Sequence, residues 1–130
     1  MSERNEQNWI LHQTENLEAI LPGIIQKPWG HEKIIAKTDE YVVKEIYVKP
    51  NSRLSLQYHE KKIETMMLVS GVGYLQITGY MDGPLTLLRP ICIYPYDIHR
   101  LYTKDKDCLI VEVSSTELDD VVRVEDDYGR

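Results

Sequence analysis

The chain lacks any apolar run approaching the roughly 20 residues that a membrane-spanning helix requires, and its polar start, Met1 to Asn8, is followed by no apolar signal core. The expectation is a cytoplasmic protein. Positive charge is scarce as well: 15 Lys and Arg stand against 21 Asp and Glu, for a formal net charge of −6. That balance argues against a sequence-independent grip on nucleic acid or anionic lipid. Low-complexity tracts, internal repeats and linker-like stretches are missing, and 130 residues leave no room for a second ordinary domain. Cysteine is limited to Cys92 and Cys108, each inside an apolar strand-like run and without CxxC spacing. They read as buried, inert thiols. A chain of this length buries enough surface to fold without disulfides.

What is present is globular: 42% hydrophobic and 28% charged residues. Trp9 to Leu21 is the one good helix candidate, with Thr14 as a cap, Glu15 and Glu18 suited to a first turn and Pro22-Gly23 as a stop. A helix so short must dock on something. From Lys27 onward, short runs rich in Val, Ile, Leu and Tyr alternate with turn signals at Pro28-Gly30, Pro50-Asn51, Ser70-Gly73, Asp82-Pro84 and Lys104-Asp107. Strands at this spacing predict an all-β sandwich or barrel. The acidic end, Glu117 to Arg130, reads by composition alone as a mobile tail.

Three places carry chemistry. In a strand over Ser52 to His59, alternation puts Arg53, Ser55, Gln57 and His59 on one face. Such a row either faces water, as one side of most antiparallel strands does, or lines an interior and binds something there. In the next strand, Ile63 to Val69, Glu64 shares an apolar face with Met66 and Leu68. His99 shares its face with Leu101. Each residue alone has a plain structural reading, as a solvated strand end or a satisfied core histidine.

Together, the spacing Gln57-x-His59-x4-Glu64-x6-Gly71, followed by His99, resembles the metal motif of the cupins. In the phosphomannose isomerase branch of that superfamily Gln takes the place of the first His. The resemblance implies one divalent ion (Zn, Co, Ni, Fe or Mn) on Gln57, His59, Glu64 and His99, a mixed nitrogen and oxygen set without thiolate that suits an exchangeable catalytic metal. Lys27-Pro28-Trp29-Gly30, Arg53-Leu54-Ser55-Leu56-Gln57 and the stretch from Asp119 to Arg130 further resemble the type II mannose-6-phosphate isomerase domain, usually fused behind mannose-1-phosphate guanylyltransferase. The chain would be a stand-alone version. The implied fold is a small double-stranded β-helix (cupin or jelly-roll) barrel over residues 27–130, preceded by a helical extension over residues 1–26. The C-terminal segment would close over the barrel.

By the same resemblance the activity would be aldose-ketose isomerisation of a sugar phosphate. Lys44, Arg53, Glu64 and Glu112 are candidates for acid and base, and the facing of Lys44 is open. Arg53, Tyr96, Arg123, Tyr128 and Arg130 are candidates for binding substrate, since an arginine fork matches phosphate geometry. The chain departs from the family pattern in Glu60-Lys61-Lys62, where histidines and an arginine are usual. It departs again in Arg89-Pro90-Ile91, and in Tyr94-Pro95-Tyr96, where Tyr96 takes the place of a turn-making Gly. Kept ligands with an altered rim favour a related sugar over mannose 6-phosphate itself. Two other readings stay open: a tailoring enzyme such as a nucleotide-sugar epimerase, against whose metal-free chemistry the kept ligand set argues although His99, Asp97 and Tyr96 resemble its acid-base residues, and a non-catalytic sugar-binding cupin. Open sheet edges lead to the expectation of a homodimer.

Overall fold

The computed structural model describes residues 23–130. The expected helix over Trp9 to Leu21, and most of the extension that contains it, lie outside the described residues. Eleven strands build two antiparallel sheets. In chain order they are β1 (Ile24–Lys27), β2 (Gly30–Lys37), β3 (Val42–Val48), β4 (Leu56–Tyr58), β5 (Glu64–Gly71), β6 (Tyr74–Ile77), β7 (Met81–Pro84), β8 (Ile91–Ile93), β9 (His99–Tyr102), β10 (Cys108–Ser114) and β11 (Val122–Glu125). One sheet runs β1-β2-β3-β10-β5-β8 and the other β11-β4-β9-β6-β7.

The period-2 pattern explains the division of labour inside the larger sheet. Along β3, Val42, Lys44, Ile46 and Val48 are buried and their neighbours are not; β10 and β5 alternate in the same way. Register then sorts the buried side chains by chemistry. Ile110 sits opposite Ile46 and Leu68, and Cys108 opposite Val48, so one end of the barrel is apolar. Glu112 sits opposite Lys44 and Met66, and Ser114 opposite Glu64, so the other end is polar. The apolar end joins Trp29, Leu75, Ile77, Leu85, Ile93 and Leu101 in the core. The polar end is left to hold a site.

Two short motifs have plain steric reasons. In Lys27-Pro28-Trp29-Gly30, Trp29 anchors the core at 2% exposure, and Gly30 has φ 152°. A Cβ at Gly30 would overlap the Tyr47 carbonyl oxygen, so only glycine lets β2 approach β3 there. The turn over Tyr94 to Asp97 closes with an Asp97 N–H donated to the Tyr94 carbonyl at 3.1 Å. With Pro95 second and φ 69° at Tyr96 third, it has the form of a type II turn.

The structure corrects the expectation at two places. Asp82-Pro84 is no turn: it belongs to β7, which pairs with β6 from Tyr74↔Pro84 to Ile77↔Met81. An edge strand tolerates Gly and Pro. The acidic tail is an ordered strap, with β11 added to the edge of the smaller sheet against β4.

Candidate metal centre

Three strands and one loop bring the chemistry together. Gln57, on β4, lies directly across from His99 at the start of β9. His59 follows β4, and Glu64 opens β5. His59, Glu64 and His99 are buried at 1%, 3% and 3% exposure. Glu64 Oε1 lies 3.4 Å from His59 Nε2 and 3.0 Å from His99 Nε2, and the two rings are 5.0 Å apart.

The outer nitrogens fix the tautomers. His59 Nδ1–H donates to the Asp120 carbonyl at 2.6 Å, and His99 Nδ1–H donates to the Asp97 carbonyl at 2.8 Å. Carbonyl oxygens only accept, so each ring carries a proton on Nδ1, and in the neutral rings that ligate a metal both Nε2 lone pairs face the Glu64 carboxylate. His59 Nε2 is buried and has no hydrogen-bond partner. Lone pair against lone pair at these distances is unfavourable unless a cation stands between them. Metal–ligand bonds of about 2.1 Å at tetrahedral or octahedral angles put donors roughly 3.0–3.4 Å apart, and the His/Glu/His donor atoms all fall within 4.8 Å of one another. The donor set fits a divalent ion, with Gln57 lining the same cavity.

The cavity is narrow, and its lining includes Glu32, Lys44, Lys62, Glu112 and Arg100. Lys62 Nζ stands 3.2 Å from Glu64 and 3.6 Å from Glu112, and Lys44 pairs with Glu32 at 3.5 Å. Burial alone would raise the Glu64 carboxyl. Where the His59 and His99 rings donate Nε2–H to it, those hydrogen bonds and the Lys62 charge hold it well below the usual carboxylate range instead. Burial, reinforced by the neighbouring Glu64 charge, pushes Glu112 up to about 8 against the pull of Lys62 and Lys44. Burial works against the Lys62 charge, but Glu112 and Glu64 raise its pKa overall.

Glu64, Glu112 and Lys44, read from the sequence as acid-base candidates, all line this cavity, whereas Arg53 does not. Its guanidinium is engaged by both carboxylate oxygens of Asp127, the NH2 bond being 2.6 Å, and lies in a separate surface depression with Tyr128. Arg123, opposite Gln57 on β11, and Arg130 instead line a second depression with Lys27 and Trp29. That depression shares Glu32, Leu54, Ser55 and Gln57 with the first cavity, so the two adjoin along a common wall. Arg130 is held by Asp126 at 3.1 Å. Tyr96 is 65% exposed and stacks on Tyr58 at 5.9 Å, outside the cavity lining. His99, Asp97 and Tyr96 form no acid-base set: the Asp97 carboxylate accepts the Tyr94 N–H, and the bond between His99 and Asp97 is to the Asp97 main-chain carbonyl, not its carboxylate.

Comparison with known proteins places these features in a family. The family model for the mannose-6-phosphate isomerase C-terminal domain matches residues 14–126. The chain belongs to that family. It is 38% identical over 113 residues to a mannose-1-phosphate guanylyltransferase of Escherichia coli, and 37% identical over 113 residues to the alginate biosynthesis protein AlgA of Pseudomonas aeruginosa. In both comparisons the match covers 82% of this chain and 23% of the relative, so the chain spans under a quarter of the length of those relatives. Among solved structures, the capsular polysaccharide assembling protein CapF of Staphylococcus aureus superposes with a TM-score of 0.71 at 19% identity, covering 78% of this chain and 32% of CapF. A cupin-like protein of Thermotoga maritima superposes at 0.64 and 16% identity, covering 74% and 76%. Such likenesses establish the cupin fold.

Sequence reasoning missed several residues. Lys62 sits within a run of three charges that looks like a solvated loop, yet it is 6% exposed. Arg100, at 4% exposure, sends Nε–H to the Leu54 carbonyl at 2.9 Å. Glu32 and Asp120 also went unmarked. Lys62 had a signal, as one of the departures that follow His59; the others had none that local sequence could show.

Proposed function

We propose that the chain is a metal-dependent aldose-ketose isomerase acting on a sugar phosphate. The reading is carried by the adjacency of the cavity lined by Gln57, Glu64 and His99 to the cationic depression of Lys27, Arg123 and Arg130, with Gln57 and Ser55 common to both. A divalent ion held by Gln57, His59, Glu64 and His99 would supply Lewis acidity toward adjacent sugar oxygens. Lys27 and Arg123 have no ion-pair partner among the described residues, so they are free to take a phosphate at the mouth. Glu112, Lys62 and Lys44 share the cavity and are the groups in place to move a proton between neighbouring sugar carbons. Arg53 becomes a strap residue through Asp127. The open edges β1, β8, β7 and β11 support a homodimer, checked by sedimentation equilibrium.

The test is proton exchange. Protein stripped of metal, reloaded with Co²⁺ and incubated with mannose 6-phosphate in D₂O should yield ketose with deuterium at C1, and deuterium at C2 of the aldose re-formed from it, by NMR, with the exchange abolished by Gln57→Ala or His59→Ala. Metal-loaded protein that binds the sugar without exchange would instead be a sugar-binding cupin.

A further inference from the structure

The segment between two of the ligands is wrapped around one side chain. The Asp120 carboxylate accepts the backbone N–H groups of Glu60, Lys61 and Lys62, at 3.0, 2.7 and 2.8 Å. These three residues lie between His59 and Glu64 and include the lysine that faces Glu64. The carbonyl of the same Asp120 accepts Nδ1–H of His59 at 2.6 Å. Asp120 is fixed in turn from both sides. Its own N–H reaches the Glu117 carbonyl at 3.3 Å, and β11 begins two residues later, paired with Tyr58 and Gln57. A residue on the C-terminal strap therefore sets the path of the loop and the aim of the His59 ring.

We propose that Asp120 is a positioning residue for the metal centre, holding His59 Nε2 toward Glu64 and His99 while its carboxylate shapes the loop that carries Lys62. This rests on the metal reading above. A residue that merely stapled the strap would affect stability alone. One that orients a ligand also sets metal affinity: removing the carboxylate leaves the main-chain carbonyl behind His59 but frees it and the loop from each other, and disturbed support behind a ligating histidine typically weakens binding by about 10- to 100-fold. The strap has a built-in control. Asp127 ties the same segment to Arg53 and touches neither the loop nor His59.

The experiment measures the Co²⁺ dissociation constant of the full chain by competition with a chromophoric chelator. It compares wild type, Asp120→Ala, Asp120→Asn and Asp127→Ala, with the visible spectrum of bound Co²⁺ and the thermal midpoint of each metal-free protein. The expected result is a Kd raised about 10- to 100-fold in Asp120→Ala, a smaller rise in Asp120→Asn, an altered Co²⁺ spectrum in both, and a wild-type Kd and spectrum in Asp127→Ala. Wild-type affinity in Asp120→Ala would overturn the proposal, as would equal weakening in Asp127→Ala. If Asp120→Ala does not fold, Asp120→Asn decides, and an unchanged Kd there has the same force. Wild type that takes no Co²⁺ would remove the metal reading itself, and the proposal with it, a failure distinguished because it needs no variant.

Discussion

Tyr96 occupies the third position of its turn with φ 69°, a conformation in which a side chain's Cβ is crowded. The strain is about 1 kcal/mol, and the ring recovers part of it by stacking on Tyr58. The position also matters to the site. The Tyr96 N–H holds the His59 carbonyl at 2.7 Å, and the next residue holds His99. Glycine would keep those main-chain bonds and shed the strain. Tyr96→Gly is therefore expected to match or exceed wild-type stability, by up to about 1 kcal/mol, in urea unfolding. Tyr96→Ala, which keeps the strain and loses the ring, is expected to fall below wild type. The reverse order would show that the ring, not the backbone, governs the turn. Gln57, His59 and Glu64 were legible as candidate ligands because their spacing is local: they lie within eight positions of one another. Lys62 was not, because its partner Glu112 lies fifty residues on, and only the pairing of β10 with β3 and β5 brings it inside.

Among the elements, the strap over residues 115–130 differs most between composition and structure. Its acidic residues look solvated, yet four of them are committed: Asp120 to the loop after His59, Glu125 to Arg53 and Arg100, Asp126 to Arg130 and Asp127 to Arg53. Periodicity could not show this, because β11 is four residues long and its partner β4 only three. The same shortness explains why alternation failed at the start of that run. Ser55, Gln57 and His59 do turn inward, but Arg53 sits in an isolated bridge with Tyr102 and is exposed. The committed carboxylates make the strap sensitive to acid. Its hydrogen bond to Arg130 lowers Asp126 to about 2, and its hydrogen bond to Arg53 lowers Asp127 below the ordinary value. Groups depressed in the folded state stabilise it above their unfolded pKa and stop doing so as pH falls through the folded one. The strap's ties are thus complete above pH of about 4, and they weaken as pH falls toward 2. Pepsin digestion followed by mass spectrometry is expected to show cleavage within residues 115–130 first, with the barrel strands cut later. Simultaneous loss of strap and barrel would mean that these pairs do not set the strap's stability.

Across the whole molecule, the barrel's apolar end and its site end are made by the same strands, so the site is built from stability that the fold forgoes. Without a cation, two buried Nε2 lone pairs face a carboxylate, and Lys62 and Glu112 sit behind it. An arrangement of that kind costs the empty protein and is repaid only by what binds there. Co²⁺ at about 100 times its Kd adds about 2.7 kcal/mol to folding, which for a domain of this size raises the thermal midpoint by roughly 10 °C. Glu64→Gln makes the opposing test. An amide at this position can turn its N–H₂ toward the His59 and His99 nitrogens and its carbonyl toward Lys62, satisfying every group that Glu64 leaves in conflict when no ion is present. The metal-free variant is expected to melt above metal-free wild type, and the loaded variant below loaded wild type, so the two orders cross in calorimetry. If metal-free Glu64→Gln melts lower, the two Nε2 atoms carry protons in the empty protein, and the cluster is a set of ion pairs rather than a waiting set of ligands.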